Sequence, residues 1–143
     1  MGVVARTSWD GPAIEAKTYD AVEKALLAAG AVVQVQMRTN ISAAKGPSTP
    51  GQFPGWQTRT LANSVTVERM TPNRVRMGSK VFYGKYLEYG VPPYGVKTHG
   101  GGHPGMAARP WVVRSFFMAK DRAKARFDET MRAMLGGNGG GAP

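Results

Sequence analysis

Cysteine is absent from this 143-residue chain, so neither a disulfide framework nor a thiolate metal site can form. Histidine is nearly absent too. His99 and His103 are the two present, separated by three glycines. On a helix that spacing could bring two imidazoles to one ion, but a glycine run disfavours a helix. No third ligand stands nearby, and zinc needs three or four. Acids are scarce, nine against nineteen Lys and Arg. No apolar run approaches the ~20 residues that span a bilayer. Residues 1–10 also lack the apolar core of a secretory signal. The expectation is a protein made in a cytoplasm, with no cofactor, no metal and no membrane contact.

Catalytic signatures are missing as well. The chain has no Gly-x-Ser-x-Gly elbow and no phosphate-binding Gly-x-x-x-x-Gly-Lys-[Ser/Thr] loop. Glu88 stands among tyrosines and could act as a general base, but the second carboxylate for acid–base work is lacking. A structural role fits better, with Glu88 pairing an arginine; Arg109 is the obvious candidate. The chain does not read as an enzyme.

What is present begins with charge. The formal net charge is +10, distributed unevenly. Residues 1–58 carry five Lys or Arg against four acids, and residues 59–143 carry fourteen against five. Such asymmetry suits a polyanionic neighbour, either nucleic acid or an acidic protein surface; a solvated basic face is the plain alternative.

Apolar content of 42% supports one packed domain, taken as residues 1–135. Asp10-Gly11-Pro12 is a helix-start signal. From Ala13 to about Ile41, the residues Ile14, Val22, Leu26, Ala29, Val33 and Met37 predict one helical face. At ~1.5 Å per residue this helix is roughly 40 Å long. Gly30 is a candidate kink.

Residues 42–57 form a loop whose Ser42–Trp56 stretch holds three prolines and three glycines, with Phe53 and Trp56 as its adhesive points. Those two either fold back on the domain or bury in a partner. Thr60 to Ser64 predicts one helical turn. Val65–Arg69 and Arg74–Gly78 then alternate with period two around Thr71-Pro72-Asn73. A three-residue loop there opposes Val67 to Met77 and Glu68 to Arg76.

Val81 to Tyr89 starts as strand and becomes a short helix, with Tyr83, Tyr86 and Leu87 on one face and Glu88 elsewhere. Gly90 ends it in a left-handed conformation. Residues 91–108 are a second long loop, with five glycines and three prolines, Tyr94 among them. Arg109-Pro110 opens the last helix, whose apolar stripe is read as Val113, Phe116, Phe117, Ala123, Phe127, Met131 and Met134. Arg114, Lys120, Lys124 and Arg132 lie largely off it and could track phosphates. Residues 136–143 read as a disordered glycine-rich tail.

Several pieces now form a pattern: a long first helix, Leu61-x-x-Ser64-Val65, a hairpin ending in Gly78-Ser79, Tyr83-Gly-Lys-Tyr-Leu-Glu-Tyr-Gly90, and Ala108-Arg-Pro-Trp111 before a final helix. Over roughly residues 13–133 this resembles the tail-completion, or head–tail joining, proteins of long-tailed bacteriophages, a family of siphophage tail components. The chain departs from the family pattern at Arg59, where a glycine is usual, at Ala62, where an arginine is usual, and at Val91, where a threonine is common.

The resemblance implies an α+β fold, with the long N-terminal and the C-terminal helix packed on a small, mainly antiparallel sheet. It implies a virion structural protein of the phage neck, completing the tail top and joining tail to head. The subunits would form a homo-oligomeric ring, sixfold favoured, around the DNA channel. Partners would be the connector or adaptor and the tail terminator or tail-tube proteins, with nonspecific proximity to DNA. On this reading Leu61, Tyr83, Tyr86, Glu88, Gly90, Arg109, Pro110 and Trp111 organise the loop bases. Phe53, Trp56 and Tyr94 belong to the arms that contact neighbours. The rival class is a nucleic-acid-binding accessory protein using the basic C-terminal half.

Overall fold

The computed structural model describes residues 10–43, 45–55, 59–93 and 104–136. Its elements are α1 (Gly11–Ser42), α2 (Thr60–Asn63), β1 (Val65–Thr71), β2 (Arg74–Ser79), α3 (Gly84–Tyr89) and α4 (Val112–Leu135). Two long helices and a two-stranded antiparallel hairpin make the fold α+β. The expected architecture is the one observed.

The first helix is continuous through Gly30, and the glycine has a different use. A Cβ built there would lie 2.7 Å from Val67 Cγ1. Gly30 is therefore the notch in α1 that receives β1. Gly30→Ala is expected to destabilise the fold by about 1–3 kcal/mol through overpacking, although alanine is the better helix former. Val67→Ala in the same chain should recover most of that loss. Urea midpoints of Gly30→Ala, Val67→Ala and the double variant check this; a neutral Gly30→Ala would reject the notch.

On α1 the buried positions are Ala21, Ala25, Gly30, Val33, Met37, Asn40 and Ile41. Val33 and Met37 are core residues as read from the sequence, whereas Ile14 is 57% exposed. The α1 face against α4 thus joins Asn40 to the large Val33 and Met37, which share one buried cluster with Ala119 and Ala123. Ser115, Ala119 and Ala123 answer it from α4, all buried. Small side chains on the α4 face let the two helices pack closely. Asn40 Nδ2 donates to Ser115 Oγ at 2.8 Å, and Arg122 hydrogen-bonds the Gln36 side chain. These links run down one helix and up the other, so the pair is antiparallel.

The stripe on α4 is accordingly not the one expected. Val112, Ser115, Ala119 and Ala123 face inward, while Val113, Phe116 and Phe117 are 49%, 42% and 60% exposed. Phe127, Met131 and Met134 are only half buried. At ~100° per residue, the large apolar residues form a second stripe beside the buried one.

In the hairpin, Val67 opposes Met77 and Glu68 opposes Arg76, as the alternation predicts. The connection differs. Thr71 pairs with Arg74 around Pro72-Asn73, and an irregularity between Arg69 and Thr71 takes up the odd residue. A bulge of this kind lets a two-residue turn keep the faces that a three-residue loop would give. On the outer face, Lys80 and Arg76 hold the Glu68 carboxylate at 2.8 and 3.2 Å. Their hydrogen bonds hold its carboxyl below the usual value of 4.5. The stabilisation from this pair is thus present above pH 4.5 and is lost as the pH falls through the lower, folded value. An NMR titration should show Glu68 returning toward 4.5 in Lys80→Ala. No change would remove the lysine as cause.

β2 ends at Ser79, so the predicted strand at Val81 is a turn instead. Ser79 Oγ accepts the Val81 N–H at 3.1 Å, and Val81 O accepts from Gly84 at 3.1 Å, which bends the chain out of the sheet.

Candidate assembly site: a clasped helix start

The segments singled out by sequence pattern meet at the start of α4. Ser64 and Ser79, one from each side of the hairpin, hydrogen-bond through their hydroxyls at 2.7 Å. A Cβ on Gly84 would stand 3.2 Å from Ser79 Cβ and 3.5 Å from Leu61 Cδ1, so α3 sits directly on that pair. Leu61 is buried and Tyr83 and Leu87 pack against the core. Tyr86 and Tyr89 point outward, 39% and 80% exposed. The inner face of α3 is therefore Gly84, Leu87 and Glu88, not the tyrosine face.

Glu88 is the centre of the arrangement. Only 7% of it is exposed, and its carboxylate accepts three backbone N–H groups. Trp111 N donates to Oε2 at 2.6 Å, Val112 N to Oε2 at 2.8 Å and Val113 N to Oε1 at 3.1 Å. The first N–H groups of a helix have no partner within it, and that end carries positive partial charge. A buried carboxylate answers both needs at once. The expected Glu88–Arg109 ion pair is not formed.

Arg109 instead holds the 45–55 loop. Its Nε and one terminal nitrogen donate to Ser48 O at 3.1 and 2.9 Å, while its own backbone N–H donates to Leu87 O at 2.7 Å. Pro110 lies just before the helix, not in its first turn, because capping by Glu88 begins α4 at Val112. The indole N–H of Trp111, a residue 1% exposed, donates to Gly84 O at 3.1 Å.

Gly90 has φ +76°, the positive φ expected, with an extended ψ of 179°. A Cβ there would come within 2.7 Å of Met106 O. Val91 and Met106 then exchange two backbone hydrogen bonds at 2.8 Å, closing the base of the second loop. Both loop bases are thus tied to their own subunit.

Of the two alternatives for Phe53, the structure has it folded back: it packs against the core, with the Arg114 guanidinium 4.6 Å above its ring. Arg114 also donates to Gly51 O. Lys120 lies 5.7 Å from the Phe117 ring and Lys124 pairs with Asp128 at 2.8 Å. Trp56, Tyr94, His99, His103 and the glycine tail from Gly137 lie outside the described residues. Among the described residues, no group of three or more His, Asp or Glu could hold a metal, and no helix is long and apolar enough to cross a membrane.

Arg59 has φ +60°, the one non-glycine residue at positive φ among those described. The departure from the family glycine thus falls on a left-handed position. Arg59→Gly is expected to raise stability by about 0.5–1 kcal/mol, seen as a higher urea midpoint. An unchanged or lower midpoint would mean that the arginine side chain offsets the strain.

The fold and this site define an α+β domain organised around a clasped helix start. Residues 13–90 match the family described as "Bacteriophage HK97-gp10, putative tail-component". The chain belongs to that family of phage tail components. The match ends at Gly90, so the clasp joins the matched region to the Ala108–Trp111 segment beyond it. Searches of curated proteins and of solved structures gave no match.

Proposed function

We propose that this chain is a non-enzymatic virion protein of the phage neck, which completes the tail top and joins the tail to the head. It acts as one subunit of a ring around the DNA channel, between the connector or adaptor on one side and the tail terminator or tail tube on the other. Sixfold symmetry is the favoured stoichiometry.

Membership of a tail-component family across residues 13–90 carries this reading. Two features of the geometry support it. Large apolar side chains on α4 stay exposed, as a subunit awaiting neighbours requires. The clasp also gives the bases of both loops fixed positions, with Glu88, Gly90, Arg109 and Trp111 as the organising residues. Lys124 and Arg132, on the outer side of α4, suit a lumen through which DNA passes.

The test is to make virus particles without this chain. DNA-filled heads and separate, complete tails should accumulate, and adding the purified protein should restore joined particles. Joined, infectious particles in its absence would overturn the proposal. A stable monomer binding DNA tightly, with a steep fall in affinity as salt rises, would instead favour the nucleic-acid accessory reading.

A further inference from the structure

The start of α4 carries an apolar surface that none of the described residues covers. Val113, Phe116 and Phe117 are each more than two-fifths exposed, and the two phenylalanine rings meet edge to face at 5.8 Å. With Lys120, these residues fall within an arc of about 100° on the helix. Its charged neighbour is basic: Lys120 lies 5.7 Å from the Phe117 ring, on a helix that carries six Lys or Arg against three acids. A suitable occupant is therefore apolar, acidic and narrow enough to lie along a helix.

The chain itself contains such a segment. The first turns of α1, residues 12–20, are exposed throughout, with Ile14 and Tyr19 at 57% and 52%. Across residues 10–20, Asp10, Glu15 and Asp20 stand against Lys17; Asp20 pairs with Lys24 at 2.8 Å, which leaves Asp10 and Glu15 as the acids at the tip. It cannot reach the stripe of its own subunit. The Asn40–Ser115 hydrogen bond fixes the start of α4 beside the far end of α1. Ile14 lies 26 residues earlier, roughly 39 Å away at ~1.5 Å per residue.

We propose that the exposed stripe at the start of α4 receives the acidic first turns of α1 from a second copy of this chain. The contact is heterologous: one end of a subunit meets the opposite end of the next. A self-matched contact would instead set Lys120 against the same residue of the other copy. Repeated head-to-tail contacts close into a ring when the rotation allows it. The inference rests on the ring reading above and adds its polarity.

The absence of cysteine makes the test direct. Full-length Ile14→Cys and Phe117→Cys chains each carry a single thiol, at exposed positions that leave the core intact. Mixed at high concentration under mild oxidation, they should form the mixed disulfide dimer at about tenfold the yield of either like pair, a preference of ~1.4 kcal/mol. Glu15→Lys in the first chain should remove that preference, and Lys120→Glu in the second should restore it.

Yields in random proportion, or Phe117→Cys chains pairing chiefly with each other, would overturn the inference. Electron microscopy of the unsubstituted protein separates the two claims. Rings without the selective cross-link reject only the polarity, whereas absence of rings alongside normal joining rejects the ring itself.

Discussion

Trp111→Ala is expected to lower the stability of the domain by about 3–5 kcal/mol, the range for removing a fully buried aromatic side chain. Trp111 is the largest of the fully buried side chains, packed with Val33, Met37, Ile41, Leu61 and Val65. It is also the residue immediately before α4, so the cavity would open where the clasp sits. Small domains have about 5–15 kcal/mol in total, so this single change removes a large share.

Trp111→Phe keeps a buried six-membered ring. It removes the indole N–H together with the pyrrole part of the ring system, leaving Gly84 O without that donor. The expected cost is about 1–3 kcal/mol, from the lost donor and the smaller cavity together. Urea unfolding followed by circular dichroism reads both variants. Equal losses for Ala and Phe would mean that the hydrogen bond, not the buried volume, dominates.

The parts of this structure that were legible in the sequence are those set by periodicity. Alternation of Val65, Val67, Val75 and Met77 fixes the hairpin register because a one-residue slip would move every one of them to the other face. Asp10-Gly11-Pro12 marks the start of α1 because proline needs no hydrogen-bond donor there. The bulge near Met70 left no trace, since either strand can absorb a residue without altering composition.

The buried stripe on α4 departs from the large-residue pattern for a physical reason. Reading by size favours Phe116 and Phe117, but helix against helix at close approach selects Ser115, Ala119 and Ala123. The four-residue spacing of Ser115, Ala119 and Ala123 on α4 is the available signal. It marks a narrow face on which the larger Val33 and Met37 of α1 pack. The phenylalanines thus stay outside, where the assembly proposal uses them. One misassignment and the assembly proposal share that cause.

Glu88 was recognised as a structural acid, but its partner was mistaken. Charge invites a search for opposite charge, and Arg109 lies close in sequence to Trp111. Backbone N–H groups carry no letter in a sequence, so a helix start is invisible as a ligand. A lone acid ahead of a proline-marked helix start, with a glycine between them that permits the chain to return, is the signature to look for. The arginine is used elsewhere, gripping Ser48 O and so fixing the first loop.

Glu88→Ala is accordingly expected to cost about 2–4 kcal/mol, because three N–H groups lose a buried, charged acceptor together. Glu88→Gln keeps one carbonyl oxygen, which can still accept from Trp111 and Val112, but it turns a donor toward the remaining N–H. Its cost should be smaller, about 1–2 kcal/mol. In both variants the amide protons of Trp111, Val112 and Val113 should exchange faster with solvent, while those in the middle of α1 keep their rates relative to global unfolding. The competing view, an ion pair with Arg109, makes a different forecast. If the two side chains were partners, combining Glu88→Ala with Arg109→Ala would cost far less than the separate losses added together. Since they serve different acceptors and donors here, the double variant should come within about 0.5 kcal/mol of that sum. A large shortfall would restore the ion pair and remove the clasp from its place at the head of α4.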